Sequence, residues 1–289
     1  MHEALAMRLA RSGVAQVRAV GTANVRAVGA RAHAALERCA GRTSAVPGFE
    51  ATGFRLAAGE LVWVGLDAPL HPRVVLLEAG CAHDRLDLEA ATVHAPAVLP
   101  RLGTNRENAS NSASMAVLRL ISEYELCGFA TLFAGRPPVF PLCHRTAAAG
   151  ALAAACAHDD AARFANAAAR LLGVGGGLTP SGDDFVGGAL FARRLIGVND
   201  TWLVAAAGIV ELSQVRTHAV SAALLADLAA GSSYAALHEL AAALAKHGAA
   251  PQAADAPMQA LVGIGHSSGW DMLAGFIAGL TGRLEFSRN

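Results

Sequence analysis

A change of periodicity near residue 101 constrains the fold more than any other feature of this sequence. Before it, short β-forming runs alternate with prolines, as in "GFRLAAGELVWVGL" (53–66) and "PRVVLLEA" (72–79). After it, apolar residues recur at helical spacing in long alanine-rich segments. We therefore predict an α+β fold, with a small β-rich part followed by a larger, mainly α-helical part.

The same change divides the chain into three parts. We predict an N-terminal extension over residues 1–40, helical or partly ordered, then a β-rich domain over 41–100 and a helical domain over 101–289. The extension is rich in alanine and arginine and repeats "VRAVG" at Val17–Gly21 and Val25–Gly29. A transit peptide has a similar composition, and we favour the extension.

Glycines and capping residues delimit the helices that we predict in the third part. The predicted helices cover residues 114–133, 147–173, 199–231, 232–248 and 269–279. The 199–231 segment is long enough to kink or break near Ser213. The polar stretch "TNRENASNS" (104–112) is predicted to be a loop.

Composition excludes several classes of protein. Lys plus Arg and Asp plus Glu both number 23, so we expect neither a nucleic-acid partner nor binding to an anionic membrane. The apolar runs 147–157 and 202–210 are shorter than the roughly 18 residues of a membrane span. Five scattered cysteines without a C-x-x-C pair indicate free thiols in a reducing cytoplasm. The substrate is expected to be small.

The stretch "GVGGGLTPSGDDF" (173–185) is the most distinctive motif. It is not a Rossmann turn, because Leu178 occupies the third glycine position and a predicted helix precedes the loop. It is not a P-loop either, because Asp183 stands where the phosphate-binding lysine is required. The motif therefore needs another explanation.

A second copy of part of this motif occurs near the C-terminus. "SGDDFVGG" (181–188) and "SGWDMLAG" (268–275) share the frame Ser-Gly-x-Asp-x-x-x-Gly, each after a glycine-containing loop. In each copy the spacing matches an acidic capping box, with Ser181 and Ser268 as N-caps and the aspartate three residues later. Two well-capped helices without chemistry are therefore one interpretation.

The final glycine of each frame favours a second interpretation. Gly188 and Gly275 lie inside predicted helices, where glycine costs about 1 kcal/mol relative to alanine. We predict that the two helices cross at these glycines, which brings both N-termini and both glycine loops together. Paired helix N-termini form an anion site without lysine, and Thr179 can add a hydroxyl donor.

The two copies differ where chemistry could occur. Asp183 has no capping role, whereas its counterpart is Trp270, a flat apolar side chain. The second loop also contributes His266, a candidate acid–base group. We expect the carboxylate, the imidazole and the apolar wall to belong to one site.

Two sets of residues follow from this interpretation. The candidate catalytic residues are Asp183, Asp184, His266 and Asp271. The candidate phosphate- or substrate-binding residues are Gly175, Gly176, Gly177, Thr179, Ser181, Gly182, Ser267, Ser268, Gly269, Arg216 and Thr217. No cofactor is required by this pattern, although the adjacent acids are an alternative Mg²⁺ site bridging a phosphate.

Weaker candidates lie outside the two frames. Thr217 and Ser221 share a face if they lie on one helix, where they could line the pocket or simply face solvent. Cys143 and His144 lack the third group that a Cys-His nucleophile needs, which leaves Arg145 as a candidate anion contact.

The sequence pattern from Gly173 to Gly188, followed by "GIGHSSGWDMLAG" (263–275), resembles the AllH-like family. This family is named for a subunit linked to bacterial oxamate carbamoyltransferase in anaerobic allantoin breakdown, a purine degradation pathway. "GRTSAV" (41–46) resembles the beginning of the family, so the resemblance covers roughly residues 41–289. It implies phosphorolysis of oxalurate to oxamate and carbamoyl phosphate, or the reverse, together with partner subunits.

Two functional hypotheses remain. The first is a carbamoyltransferase-like enzyme subunit that binds a small anionic substrate between the two frames. The second is a non-catalytic ligand-sensing or assembly subunit whose glycines serve helix packing. An ATP-using phosphotransferase is a third, which the lack of a basic residue in the loop disfavours. A homo-oligomer is compatible with each of them.

Overall fold

The computed structural model describes residues 22–50, 52–80, 84–246 and 251–286. Strands occupy the first part of the chain and helices the second, so the predicted α+β fold is confirmed. The first "VRAVG" copy and most of the predicted extension lie outside the described residues.

Seven strands form one sheet in the order β2-β3-β4-β5-β1-β6, with β7 also paired to β1. The strands are β1 (Thr22–Gly29), β2 (Ser44–Ala45), β3 (Phe54–Ala57), β4 (Glu60–Gly65), β5 (Val74–Leu77), β6 (Arg85–Asp87) and β7 (Thr92–His94). β1 pairs antiparallel with β5 and parallel with β6 and β7. β1 contains the second "VRAVG" copy, so within the described residues the sheet starts at Thr22, inside the segment predicted to be an N-terminal extension.

The strands predicted from proline punctuation are confirmed. β3 and β4 form a hairpin within 53–66, and β5 lies within 72–79. Ala58 and Gly59 form the hairpin turn with φ of 47° and 80°, the left-handed values that suit the twist of a two-residue hairpin. One face of the sheet packs against a short helix, α1 (Ala30–Arg38).

Nine further helices among the described residues form the larger part of the molecule. They are α2 (Arg106–Glu123), α3 (Thr146–Ala157), α4 (Ala161–Ala168), α5 (Ser181–Ile196), α6 (Asp200–Arg216), α7 (Ala219–Ala230), α8 (Ala235–Ala245), α9 (Asp255–Val262) and α10 (Ser268–Thr281). Short 3-10 helices occur between some of them, including Gly128–Ala134 and Leu142–Arg145.

Two long predicted helices are each divided in two. The 147–173 segment breaks where Asp159 adopts a left-handed φ of 54° and Asp160 caps α4 by accepting from the Arg163 N–H. The 199–231 segment breaks at Thr217 and His218, not at the predicted Ser213. The predicted loop 104–112 also differs, because most of it forms the first turns of α2.

Helices α5 and α10 cross at the centre of the core, as the two frames predicted. A Cβ on Gly188 would lie 2.1 Å from the Met272 carbonyl oxygen, and a Cβ on Gly275 would lie 1.8 Å from the Phe185 carbonyl oxygen. Because such distances exclude any larger side chain, both glycines are required for this close approach. Nearly every residue of the two helices is buried.

A buried ion pair holds the sheet against the helices. The Arg73 guanidinium, which precedes β5, donates from Nη2 to Asp227 Oδ1 on α7 at 2.9 Å. The half-exposed Arg31 of α1 donates to the same oxygen at 2.8 Å. Asp227 is fully buried, so its charge is balanced almost entirely by the two guanidinium groups.

One stretch, Ala219–Ala245, is long and apolar enough to cross a membrane by length and composition. Within its 18-residue apolar segment, 61% is buried inside the protein. It comprises α7 and α8, which are separated at Gly231, where φ is 81°. A mostly buried apolar stretch of this kind is typical of the core of a soluble protein.

Candidate functional site

The two glycine loops meet at the N-termini of α5 and α10. We call residues 173–180 the first glycine loop and residues 263–267 the second. Thr179 Oγ1 lies 2.8 Å from Ser268 Oγ, and Ser181 Oγ lies 3.5 Å from Ser267 Oγ. The prediction that these distant segments come together is therefore confirmed.

Both loops are built in the same way. The Gly182 N–H donates to the Val174 carbonyl oxygen at 2.8 Å, and the Gly269 N–H donates to the Ile264 carbonyl oxygen at 3.0 Å. A Cβ at either glycine would lie 1.9 Å from a carbonyl oxygen, that of Leu171 or Leu261. Gly182 and Gly269 are thus required for packing, and neither lines the surface where the loops meet.

This construction extends the repeat beyond the shared frame. "LLGVG" (171–175) occupies the same place before α5 as "LVGIG" (261–265) before α10. In each copy, the carbonyl oxygens of the first leucine and of the fourth residue contact the glycine of the following frame, which is Gly182 or Gly269. The extended repeat is visible in the sequence, but its role becomes clear only from these contacts.

The predicted capping boxes are wrong. Pro180 is the N-cap of α5 and Ser267 is the N-cap of α10, and neither makes a side-chain capping bond. Each helix begins at the serine of its frame, so this serine is the first helical residue and not the N-cap. The aspartate three residues later is therefore not placed to cap its own helix. Asp184 and Asp271 are therefore available for other contacts.

Each of these two aspartates faces one hydroxyl from each loop region. Burial raises the pKa of both carboxyl groups, and nearby hydroxyls partly oppose this rise: those of Ser268 and Thr179 at Asp184, and those of Ser181 and Ser267 at Asp271. The two carboxyl groups thereby connect the first and second loops from beneath. They lie behind the hydroxyls and do not themselves line the cleft.

Burial dominates the ionisation of both carboxyl groups. Desolvation raises the pKa of Asp271 to about 7, although the Phe129 N–H donates to its Oδ1 at 2.7 Å. Desolvation, followed by the nearby charge of Asp271, raises the pKa of Asp184 well above its usual value. Within the described residues, Oδ2 of each carboxyl is buried and has no hydrogen-bond partner.

Asp183 has a structural environment, contrary to the prediction that its carboxylate is free. Its Oδ1 accepts from the Gly173 N–H at 2.7 Å, and its Oδ2 accepts from the Ser221 hydroxyl at 2.6 Å. The residue is 2% exposed. Asp183 therefore joins the first glycine loop to α7 and does not reach the cleft.

A cleft of about 530 Å³ opens above the loops, between the helices and the sheet. Its lining combines the glycine loops and their hydroxyls with an apolar wall. The lining residues are Phe54, Trp63, Gly176, Gly177, Leu178, Thr179, Ser181, Leu224, Tyr234, Ile264, Gly265, His266, Ser267 and Ser268. The rings of Phe54 and Trp63 stack with centroids 5.5 Å apart.

Seven of the predicted site residues line this cleft. They are Gly176, Gly177, Thr179, Ser181, His266, Ser267 and Ser268. His266 is exposed, and Tyr234 is the other titratable side chain in the lining. Among the described lining residues there is no Lys, Arg, Asp or Glu, so hydroxyls and backbone dipoles dominate the polar surface.

Several predicted binding residues lie elsewhere. Gly175 is a packing residue, since a Cβ there would lie 2.6 Å from the Ser181 nitrogen and its φ is 122°. Arg216 is exposed at the end of α6, and Thr217 lies in the break before α7. Thr217 and Ser221 are therefore not on one helix, and neither they nor Arg216 line the cleft.

The apolar wall was also assigned to the wrong residue. Trp270 is buried and packs edge-on against Tyr124, with ring centroids 6.5 Å apart. Trp63 and Phe54, which the sequence analysis did not single out, supply the wall from β3 and β4. No local signal marks them, because their place in the cleft depends on how the sheet docks.

The predicted Mg²⁺ alternative does not fit the carboxylates in this structure. The described residues contain no group of three or more His, Cys, Asp or Glu side chains placed to hold a metal ion. Asp183 and Asp184 are adjacent but contact different partners, so they do not form a common ligand pair. Cys143, His144 and Arg145 lie on a separate 3-10 helix away from the cleft.

Residues 171–280 match the family model described as oxamate carbamoyltransferase subunit AllH. This region is AllH-like. The match contains both glycine loops, both frames and the crossing of α5 and α10, whereas the predicted resemblance extended from residue 41. No curated protein and no solved structure matches the chain.

The AllH-like region therefore supplies the polar half of the cleft. The aromatic wall, formed by Phe54 and Trp63, lies outside the matched residues. The family description names a subunit of oxamate carbamoyltransferase and covers only this region of the chain.

Proposed function

We propose that this chain is a subunit of an oxamate carbamoyltransferase-like enzyme and that the cleft binds its small anionic substrates. One observation carries the proposal: two distant loops of the AllH-like region converge their hydroxyls on a single cleft. Carboxylates and phosphates are bound by such hydroxyls, by glycine-loop amides and by the positive ends of helix dipoles.

The arrangement suits transfer of a carbamoyl group between phosphate and oxamate. In phosphorolysis of oxalurate, a phosphate oxygen attacks the carbamoyl carbon and forms a tetrahedral intermediate. The bond from that carbon to the oxamate nitrogen then breaks, and the nitrogen takes a proton. Amide donors of Gly176 and Gly177 would stabilise the oxyanion.

His266 is the side chain that we assign to proton transfer. It is exposed, lies in the second glycine loop and lines the cleft, so a proton can reach it from solvent. The Gly182 and Gly269 amides take no part, because both already donate to loop carbonyl oxygens. Asp183 is also excluded, because both its oxygens accept protein hydrogen bonds.

Turnover of oxalurate and phosphate by the full chain with its partner subunits tests this proposal. We expect His266→Ala to lower kcat at least ~100-fold, the usual contribution of a general acid. His144→Ala is the matched control, because that histidine is also exposed but lies on the 3-10 helix outside the cleft. Equal turnover by the two variants would contradict the proposed chemistry.

A non-catalytic ligand-sensing subunit is the second candidate. The absence of Lys, Arg, Asp and Glu from the described cleft lining favours it, since strong charges usually assist phosphoryl and acyl transfer. In that case phosphate, oxamate or carbamoyl phosphate binds the purified chain in calorimetry, while His266→Ala leaves turnover of the assembled complex unchanged.

A further inference from the structure

Tyr234 lines the cleft but has no part in the chemistry described above. It is the N-cap residue of α8 and is only 7% exposed. Its hydroxyl group makes no hydrogen bond within the described part of the chain. A buried tyrosine hydroxyl usually has a hydrogen-bond partner, because an unpaired one has given up its contacts with water. The Tyr234 hydroxyl is therefore a donor that the fold itself does not use.

This hydroxyl can be reached from the cleft. Among the described residues, the side-chain atoms that are both enclosed by protein and unpartnered include Thr217 Oγ1 and His218 Nδ1, but not the Tyr234 oxygen. Since the Tyr234 oxygen is unpartnered, it is not completely enclosed. Tyr234 lines the cleft, so a ligand bound there can accept from its hydroxyl.

The ring that carries the hydroxyl is held in place by its neighbours. It packs against the His71 ring, with centroids 4.8 Å apart. On the main chain, the Ala235 N–H donates to the Leu70 carbonyl oxygen at 2.9 Å, and the Leu237 N–H donates to the Tyr234 carbonyl oxygen at 3.0 Å. A donor that is already fixed in this way loses little conformational entropy when it binds a ligand.

The phenol is uncharged at neutral pH, and so is its aromatic neighbour. Burial raises the pKa of Tyr234 above its ordinary value, and the nearby Asp184 carboxyl adds to this rise. Burial also lowers the pKa of His71 to about 3. Tyr234 therefore keeps its proton and acts as a neutral hydrogen-bond donor.

The lining of the cleft divides into two parts of different polarity. The two glycine loops and the first residues of α5 and α10 form one part, and Phe54, Trp63, Leu224 and Tyr234 form the other. Tyr234 thus places a hydroxyl among aromatic and aliphatic side chains. An apolar surface disfavours an ionised group, because the ion loses its hydration there. The uncharged part of a ligand therefore belongs in the second part of the lining.

The size of the cleft leaves room for such an uncharged part. Its volume of about 530 Å³ lies within the range of roughly 300–1,000 Å³ found for small-molecule sites, in which a few polar groups fix the orientation of the ligand. The loops can hold an anionic group at one end, and Tyr234 can fix the other end.

We propose that Tyr234 donates a hydrogen bond to an uncharged carbonyl oxygen of the ligand, while the glycine loops hold the anionic end. The ligand class is a small anion that also carries a neutral amide or ureido carbonyl, as oxamate and oxalurate do. This inference rests on the proposed anion-binding function, to which it adds a ligand contact at the start of α8.

Calorimetry on the purified full chain tests the inference with two anions. Oxamate has an amide carbonyl, whereas inorganic phosphate has none. We expect Tyr234→Phe to weaken oxamate binding about three- to tenfold, the effect of losing one neutral hydrogen bond, and to change phosphate binding less than about twofold. The melting temperature should not fall, because the deleted hydroxyl has no protein partner among the described residues.

Tyr124→Phe is the matched control. Tyr124 is the only other tyrosine of the chain and does not line the cleft, so its variant should bind both anions as the unmodified protein does.

Each contrary result has a distinct meaning. Unchanged oxamate binding by Tyr234→Phe overturns the inference and leaves the proposed function standing. Equal weakening of oxamate and phosphate also overturns it, because the hydroxyl would then serve the anionic end. A lower melting temperature or a failure to fold contradicts it as well, since the hydroxyl would then have a structural role. Absence of oxamate and phosphate binding by the unmodified protein contradicts the proposed function itself.

Discussion

Asp183 and Asp184 are adjacent on α5 but have different surroundings. Successive side chains on a helix point about 100° apart, so one carboxylate meets α7 while the other meets the hydroxyls beneath the cleft. The sequence predicted that acids lie near the glycine loops. It could not predict which acid faces which neighbour, because that depends on Ser221 of a later helix.

Asp183→Asn is expected to lower the free energy of unfolding by about 2 kcal/mol. The amide would place an N–H donor against the Gly173 N–H or the Ser221 hydroxyl, leaving buried groups unsatisfied. Urea unfolding measures this loss, and Asp67→Asn is the exposed control. Turnover per folded molecule should be unchanged. A stable Asp183→Asn protein without turnover would instead assign the carboxylate to catalysis.

At the scale of elements, the crossing of α5 and α10 was the most predictable feature. Two glycines at equivalent helical positions predicted a close approach, and the structure confirms it. Helix breaks were less predictable. Asp159 adopts a left-handed conformation without glycine, and an alanine-rich sequence continues across the break, so helical spacing alone indicated a single helix.

Gly188→Ala and Gly275→Ala are each expected to destabilise the protein by about 3 kcal/mol. The added Cβ would lie within 2.1 Å and 1.8 Å of backbone oxygen atoms, which only separation of the two helices can relieve. Thermal unfolding followed by circular dichroism measures the effect.

Gly150→Ala on α3 is the matched control for these glycine variants. Nothing lies within 4 Å of a Cβ at Gly150, so alanine should stabilise this helix by roughly 0.5–1 kcal/mol. If Gly188→Ala behaved like Gly150→Ala, the close crossing of α5 and α10 would be incorrect.

At the scale of the whole molecule, the cleft exists because the sheet docks on the helices. This docking could not be predicted from the sequence, because Phe54 and Trp63 are far in sequence from both loops and no residue pattern links them to the loops. Arg73 and Asp227, which join the two parts, were not singled out either. Local patterns predicted the elements and the loop pairing, whereas long-range packing determined the other wall.

Asp227→Asn is expected to lower the free energy of unfolding by about 3 kcal/mol, because it leaves the buried Arg73 guanidinium without its counter-charge. Denaturant unfolding measures the change. Asp84→Asn is the matched control: Asp84 also pairs with an arginine, Arg55, but its side chain is 77% exposed, so a change within about 0.5 kcal/mol is expected. Equal effects would show that the buried pair does not hold the sheet in place.

We propose that both glycine loops together hold one anion. A crystal structure of the full chain grown with phosphate tests it most directly. We expect one phosphate in the cleft, within about 3 Å of donors from both loops, including Thr179 or Ser181 and Ser267 or Ser268. A phosphate bound outside the cleft, or contacted by one loop alone, would contradict it.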